Sequence, residues 1–290
     1  MGPLTIALIT LGVILLLVSL YLLRSGRDFE TSINTRLNRA WRRLVFFGGT
    51  VRRLGHFPFV TWGREEPLVS IDEVFEAMKL VRPGDIGLHT EKWCLSNVAI
   101  PGFMKHAWIH INESDDVSKV KIIEAIAKGV VQRSGYYPIH CDYVIILRPK
   151  NVSREDINKA CLKAEKIVGC RYDASFKFDI EEELAIFGEG EKGIEDARER
   201  EIQVTNLGAE WDGGFSCTET VSFAWWHKRK ELGIERRKAR GKQVILGDSL
   251  INDNFEIVWM SKSVTPEIAK EYGLDVEAIC KVKEALSKSK

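Results

Sequence analysis

Residues 213 to 226 read GGFSCTETVSFAWW, a glycine-rich turn, a cysteine and then an apolar run that carries tryptophan. If a helix starts near Ser216, Cys217 falls in its first turn, where unpaired N–H groups and the positive end of the macrodipole favour a thiolate. The preceding glycines let backbone approach a substrate carbonyl closely, and the N–H of Cys217 can serve as an oxyanion donor. That is the chemistry of a thiol nucleophile. The competing reading is a packed thiol, because free cysteine is among the most buried residue types.

A thiol nucleophile needs an imidazole, and the chain offers His56, His89, His106, His110, His140 and His227. His106 opens the alternating run HAWIHIN, on the same face as Trp108 and His110 and opposite Ala107, Ile109 and Ile111. A strand terminus holds a base in a fixed place. A half-exposed sheet histidine is the plainer account of His106, and His110 is its rival for the role.

The elements that must position these residues can be read from period and capping. Ser70 with Glu73 forms a capping box ahead of a short helix bearing Ile71, Val74, Phe75, Met78 and Leu80, and RPGD at 82–85 ends it. The runs IGLHT, HAWIHIN, KVKIIEAIA, GVVQ and CDYVIILRP are short, alternating or β-branched, which predicts an antiparallel sheet. Ser153 and Asp156 cap a helix with Ile157, Ala160, Cys161, Ala164, Ile167 and Val168 on one face, closed by Gly169. An acidic, glycine-punctuated stretch at about 180–210 reads as an exposed insertion. A helix from Cys217 to about Lys230, a strand at NFEIVWMS and a helical tail over 263–290 complete the body. No internal repeat or low-complexity linker divides it.

The N-terminus carries the segment LTIALITLGVILLLVSLYLL, Leu4 to Leu23, uncharged throughout. About 20 such residues cross roughly 30 Å of hydrocarbon, so 1–28 reads as a transmembrane anchor with its flank. A secretory signal peptide is the alternative, but no basic region precedes the run and no A-x-A-like site follows it. Arginines crowd after the run, from Arg24 to Arg53, and none precedes it, which places the C-terminal body in the cytoplasm of a single-pass membrane protein. Within the basic membrane-proximal segment 29–66, apolar residues recur at helical spacing from Glu30 to Phe46, Gly48-Gly49 marks a break, and Arg36, Arg39, Arg42 and Arg43 suit anionic lipid headgroups. A helix packed on the body with solvated arginines would show the same pattern.

A length of 290 residues, 45% hydrophobic content and a formal net charge of +1 exclude a disordered or fibrous chain and say little about partners. Six cysteines are too sparse for a secreted disulfide framework, and thiols facing cytosol stay reduced. His140, Cys141, Cys161 and Cys170 lack paired CxxC spacing, so no zinc or other metal site is expected. No Walker or dinucleotide glycine pattern is present, so no cofactor is expected, and the arginine cluster suits lipid phosphates better than nucleic acid.

The segments RPGDIGL, KHAWIHI, IIEAIAKGVV, DYVIILRP, GCRYDASF and FSCTETV stand in an order that resembles the permuted papain-like hydrolases related to NlpC, in particular the YiiX-like group. The likeness runs from about Arg82 to Trp259. It implies an α+β fold over 67–262, circularly permuted so that the histidine strand precedes the cysteine helix. It makes Cys217 the nucleophile, His106 the base and Glu124 the third polar residue that orients the imidazole. A carboxylate on a neighbouring strand suits that task, with Glu124 expected to accept the Nδ1–H of His106; an outward-facing strand residue is the other reading. Tyr172, Asp173 and Glu219 match supporting positions, and helix capping alone also explains Glu219. The chain departs from the pattern at Thr218, where serine is common, at Thr220, where an apolar residue is usual, and in the length of its acidic stretch.

The resulting expectation is a membrane-anchored thiol hydrolase or acyltransferase that acts on a peptide or lipid amide or ester through a thioacyl intermediate. The alternative is a tethered binding or scaffold module of the same fold without turnover.

Overall fold

The computed structural model describes residues 67–92, 100, 102–126, 128–170, 172, 215–235, 237–239 and 242–288. The expected anchor, the basic segment with Arg36, Arg39, Arg42 and Arg43, the acidic stretch and Asp173 lie outside them. Among the described residues, no helix is long and apolar enough to cross a membrane.

Helix α1 (Ile71–Leu80) begins at the predicted capping box: Ser70 Oγ accepts the N–H of Glu73, and the Glu73 carboxylate accepts the N–H of Ser70 at 3.2 Å. Such a cap contributes about 1 kcal/mol. The turn that follows uses Gly84 at φ 88, a left-handed conformation open to glycine, and the Asp85 carboxylate accepts the N–H of Arg82 at 2.7 Å. Arg148 then donates Nε and Nη2 to the same carboxylate at 2.9 and 2.7 Å, tying the turn to a distant strand.

The strands β1 (Ile86–Thr90), β2 (His106–His110), β3 (Lys121–Ile126), β4 (Gly129–Ser134) and β5 (Tyr143–Pro149) form as the alternating runs predict. With β8 (Phe255–Met260) they make one six-stranded antiparallel sheet in the order β4-β3-β2-β1-β5-β8. A short helix α2 (Tyr136–Ile139) lies between β4 and β5. Helices α3 (Arg154–Lys166) and α4 (Cys217–Ala224) follow, then a small separate hairpin of β6 (Arg237–Ala239) and β7 (Lys242–Val244). Helices α5 (Pro266–Tyr272) and α6 (Val276–Lys288) end the chain.

Both faces of the sheet are buried. Leu88, Ala107, Ile109, Ile123 and Ile145 meet Ala160 and Ala164 of α3 and Val221 and Ala224 of α4 on one side. Trp108, Ile122, Val144 and Ile146 meet Val74, Ala77 and Met78 of α1 and Ile139 of α2 on the other. The molecule is therefore α+β, a mixed fold with helices on an antiparallel sheet.

Two sequence expectations need adjustment. The helix that starts at Cys217 stops at Ala224 and tightens into a 3-10 turn at Trp226–Lys228, short of Lys230. Trp225 is wholly buried while the Arg229 guanidinium stacks 4.5 Å from the Trp226 ring, so the two tryptophans are drawn to different surroundings. The described part of the 263–290 segment, 263–288, is largely helical as expected but packs into the body, because Val264, Ala269, Leu274 and Ile279 are buried in the main core.

Gly87 sits in register with Trp108, and a Cβ there would lie 1.9 Å from two indole carbons. The indole occupies the place a side chain would take. We expect Gly87→Ala to destabilise the fold by roughly 1–3 kcal/mol, the usual cost of overpacking, measured by urea unfolding. Wild-type stability would show that Trp108 does not rest on Gly87.

Candidate active site

Cys217 is the first residue of α4, behind an N-cap at Ser216 in extended conformation. Glu219 reaches back so that its carboxylate accepts the N–H of Ser216 at 2.6 Å, which fixes where the helix begins. Capping thus accounts for Glu219. Thr220, unexpectedly polar for a buried position, donates its hydroxyl to the Ser216 carbonyl at 3.0 Å and so needs no further partner.

His106 arrives from the other direction, at the start of β2. The chain enters that strand through Gly102 at φ 86, then Phe103 and Met104 donate their N–H groups to Asp248 Oδ2 and Oδ1 at 2.6 and 2.7 Å. The N–H of Lys105 pairs with the His89 carbonyl at 2.9 Å. These bonds set the point at which His106 leaves the turn.

The two meet. The Cys217 thiol and the His106 ring are hydrogen-bonded to each other, and Sγ lies 3.9 Å from the Lys105 carbonyl oxygen. His106 Nε2 lies 2.6 Å from Glu124 Oε2. This corrects one detail of the sequence reading: the carboxylate takes Nε2, which leaves Nδ1 as the ring nitrogen not engaged by it. The register explains it, since Glu124 is paired with Trp108, two residues along β2 and on the same face as His106. Cys217 is 5% exposed and the His106 side chain 17%, whereas Glu124 is fully buried.

Burial alone would push the thiol up, the imidazole down and the carboxylate up. Their mutual charges reverse all three. Burial opposes the imidazolium most strongly, but the Cys217 thiolate and then Glu124 outweigh it and raise His106 from 6.5 to about 10. Against its own burial, Cys217 is held below its ordinary 9.0 by the His106 charge and hydrogen bond, helped by the N–H groups of Ala107 and Thr218. Glu124 is likewise lowered, against desolvation, by His106 and then Arg133. All three shifts run toward a thiolate–imidazolium pair beside an ionised carboxylate.

The rival, His110, is elsewhere. It is fully buried, its Nε2 accepts the Trp108 indole N–H at 3.0 Å, and desolvation lowers it to about 3. It is a neutral core residue. Tyr172 is half-buried and packs against the main core.

Two residues near the site carry no assignment from sequence. His89 is the cross-strand partner of His106, with ring centroids 4.8 Å apart, and its Nδ1 lies 2.8 Å from the Pro138 carbonyl. Burial, then the His106 charge, lowers it to about 4, so it stays neutral beside the imidazolium. Arg133 on β4 forms an ion pair through Nε with Glu124 Oε1. The signal for Arg133 was present in the tight turn after Ile126: pairing outward from it sets Glu124 against Val131 and puts Arg133 one same-face step further. His89 had no such signal, because fifteen residues separate β1 from β2 and leave the register open.

Among the described residues, no group of three or more histidine, cysteine, aspartate or glutamate side chains could hold a metal ion. The five described cysteines are free. A cavity of about 1120 Å³ opens at the other end of the sheet, around Val81, Leu147 and Phe255, and neither Cys217, His106 nor Glu124 lines it. Compared with known protein families, curated proteins and solved structures, the chain gives no match.

Thiol reactivity should follow this electrostatic order. Iodoacetamide at pH 6 is expected to label Cys217 ahead of Cys161, which burial pushes up to about 11. Peptide mass mapping reads the outcome, and equal or inverted labelling would contradict the ion pair.

Proposed function

We propose that the protein is a thiol hydrolase or acyltransferase that cleaves an amide or ester bond through Cys217. The observation that carries this reading is the meeting of one thiol, one imidazole and one buried carboxylate in hydrogen-bonded sequence at the start of a helix. A structural cysteine gains nothing from a lowered pKa; a nucleophile does.

The steps follow from the charges. The Cys217 thiolate attacks the substrate carbonyl carbon, forming a C–S bond while the carbonyl electrons move to oxygen. First-turn N–H groups of α4, that of Cys217 among them, have no acceptor within the helix and suit the developing oxyanion. As the tetrahedral species collapses, the C–N or C–O bond breaks and the His106 imidazolium gives its Nδ1 proton to the leaving group. Neutral His106 then takes a proton from water or another acceptor, which attacks the thioester and releases the thiolate. Glu124 holds the ring at Nε2 throughout and stabilises its charged form.

The chain order of histidine strand before cysteine helix, on an antiparallel sheet with helices, supports a circularly permuted papain-like arrangement of the NlpC type. A single-pass anchor at 1–28 and a cytoplasmic body remain part of the proposal. They would bring the site close to acyl lipids, so a lipid amide or ester is favoured over a peptide.

Full-length protein in mixed micelles, treated with an electrophilic acyl probe, is expected to become labelled at Cys217. Cys217→Ala should abolish labelling, and His106→Ala should slow it by about 10²-fold or more. Undiminished labelling of Cys217→Ala would overturn the proposal and favour the tethered binding module. Lipid extraction after incubation with candidate acyl lipids, set against a peptide panel, then separates the two substrate classes.

A further inference from the structure

We propose that Arg133 is a positioning residue of this site: its ion pair keeps Glu124 charged inside the protein, and Glu124 in turn holds His106 for Cys217. The inference rests on the thiol reading above and deepens it.

Charge counting leads to it. Glu124 has no exposure to water, yet both of its oxygens are engaged by cations, Oε2 by His106 Nε2 and Oε1 by Arg133 Nε. With the thiolate formed, Cys217, His106, Glu124 and Arg133 make a row of alternating sign, minus, plus, minus, plus, whose sum is zero. His106 alone would have to balance two anions. Remove Arg133 and the buried set carries a net negative charge, which burial disfavours strongly. The set can shed that charge by protonating Glu124 or by protonating the thiol. Either route weakens the nucleophile.

Placement supports the same role. Arg133 stands on β4, the edge strand of the sheet, and its guanidinium lies 5.2 Å from the Tyr137 ring centroid. Its side chain is 33% exposed while its Nε is buried, so it reaches from the sheet edge to bring charge to a buried partner. Among the described residues, the salt bridges of Glu124 are with His106 and Arg133. The ion pair of Arg133 is with Glu124, so its effect on Cys217 passes through the carboxylate.

The test is the pH dependence of Cys217 alkylation by iodoacetamide in the full chain, compared among wild type, Arg133→Met, Arg133→Lys, Glu124→Gln and the Arg133→Met/Glu124→Gln double variant. Arg133→Met should slow alkylation at pH 6 by about tenfold or more, equivalent to one unit or more in the thiol pKa. Arg133→Lys should restore most of the rate, because it returns the charge. In the Glu124→Gln background, Arg133→Met should add no further effect, as expected when one residue acts through the other. A wild-type profile in Arg133→Met, or the same tenfold loss in both backgrounds, would overturn the role. Should Arg133→Met fail to fold by thermal melting, Arg133→Gln carries the same comparison, with the same two outcomes. A wild-type thiol of ordinary pKa would remove the catalytic reading and this role together, whereas a depressed thiol indifferent to Arg133 would remove this role alone.

Discussion

The contact on which the site depends is the one between Glu124 and His106. A carboxylate with no water around it is costly unless cations take both its oxygens, and an imidazolium in the same surroundings is costly unless anions flank it. Here each group satisfies the other at 2.6 Å, and the remaining side of each is taken by a further charge. The low polarity that makes each charge expensive alone also strengthens the attraction between them. For that reason the Cys217 thiol is held below its ordinary pKa despite near-complete burial.

The fold contributes position more than chemistry. A strand and a helix from segments more than one hundred residues apart must bring their first residues together. Each beginning is pinned locally: Glu219 closes the cap before Cys217, and Asp248 holds the two N–H groups just before β2. Between them the sheet supplies a surface buried on both faces, so neither start can slide without breaking core contacts. The geometry of the site is then a consequence of where two elements start.

Much of this was legible in the chain. The capping signals at Ser70, Ser153 and Ser216 mark helix starts that the structure reproduces, because each depends on residues three apart and on nothing distant. The strands of the sheet were legible from alternation. What alternation could not convey was the fate of the second face: Trp108 and His110 alternate with apolar residues as if toward solvent, yet both are fully buried, Trp108 in a cluster with residues of α1. The ring nitrogen that meets Glu124 was likewise beyond reach, since it follows from strand register and side-chain direction. His89 illustrates the same limit, and Arg133 marks its edge, where a tight hairpin makes long-range pairing readable from local sequence.

The charge state of His106 tests the central claim most directly. Nitrogen-15 spectra of selectively labelled protein, recorded from pH 5 to pH 11, report protonation at each ring nitrogen. The account predicts that His106 carries both protons at pH 8 and loses one only near 10, with Nε2–H strongly deshielded by Glu124. A His106 ring that titrates near 6.5 and is neutral at pH 8 would contradict it.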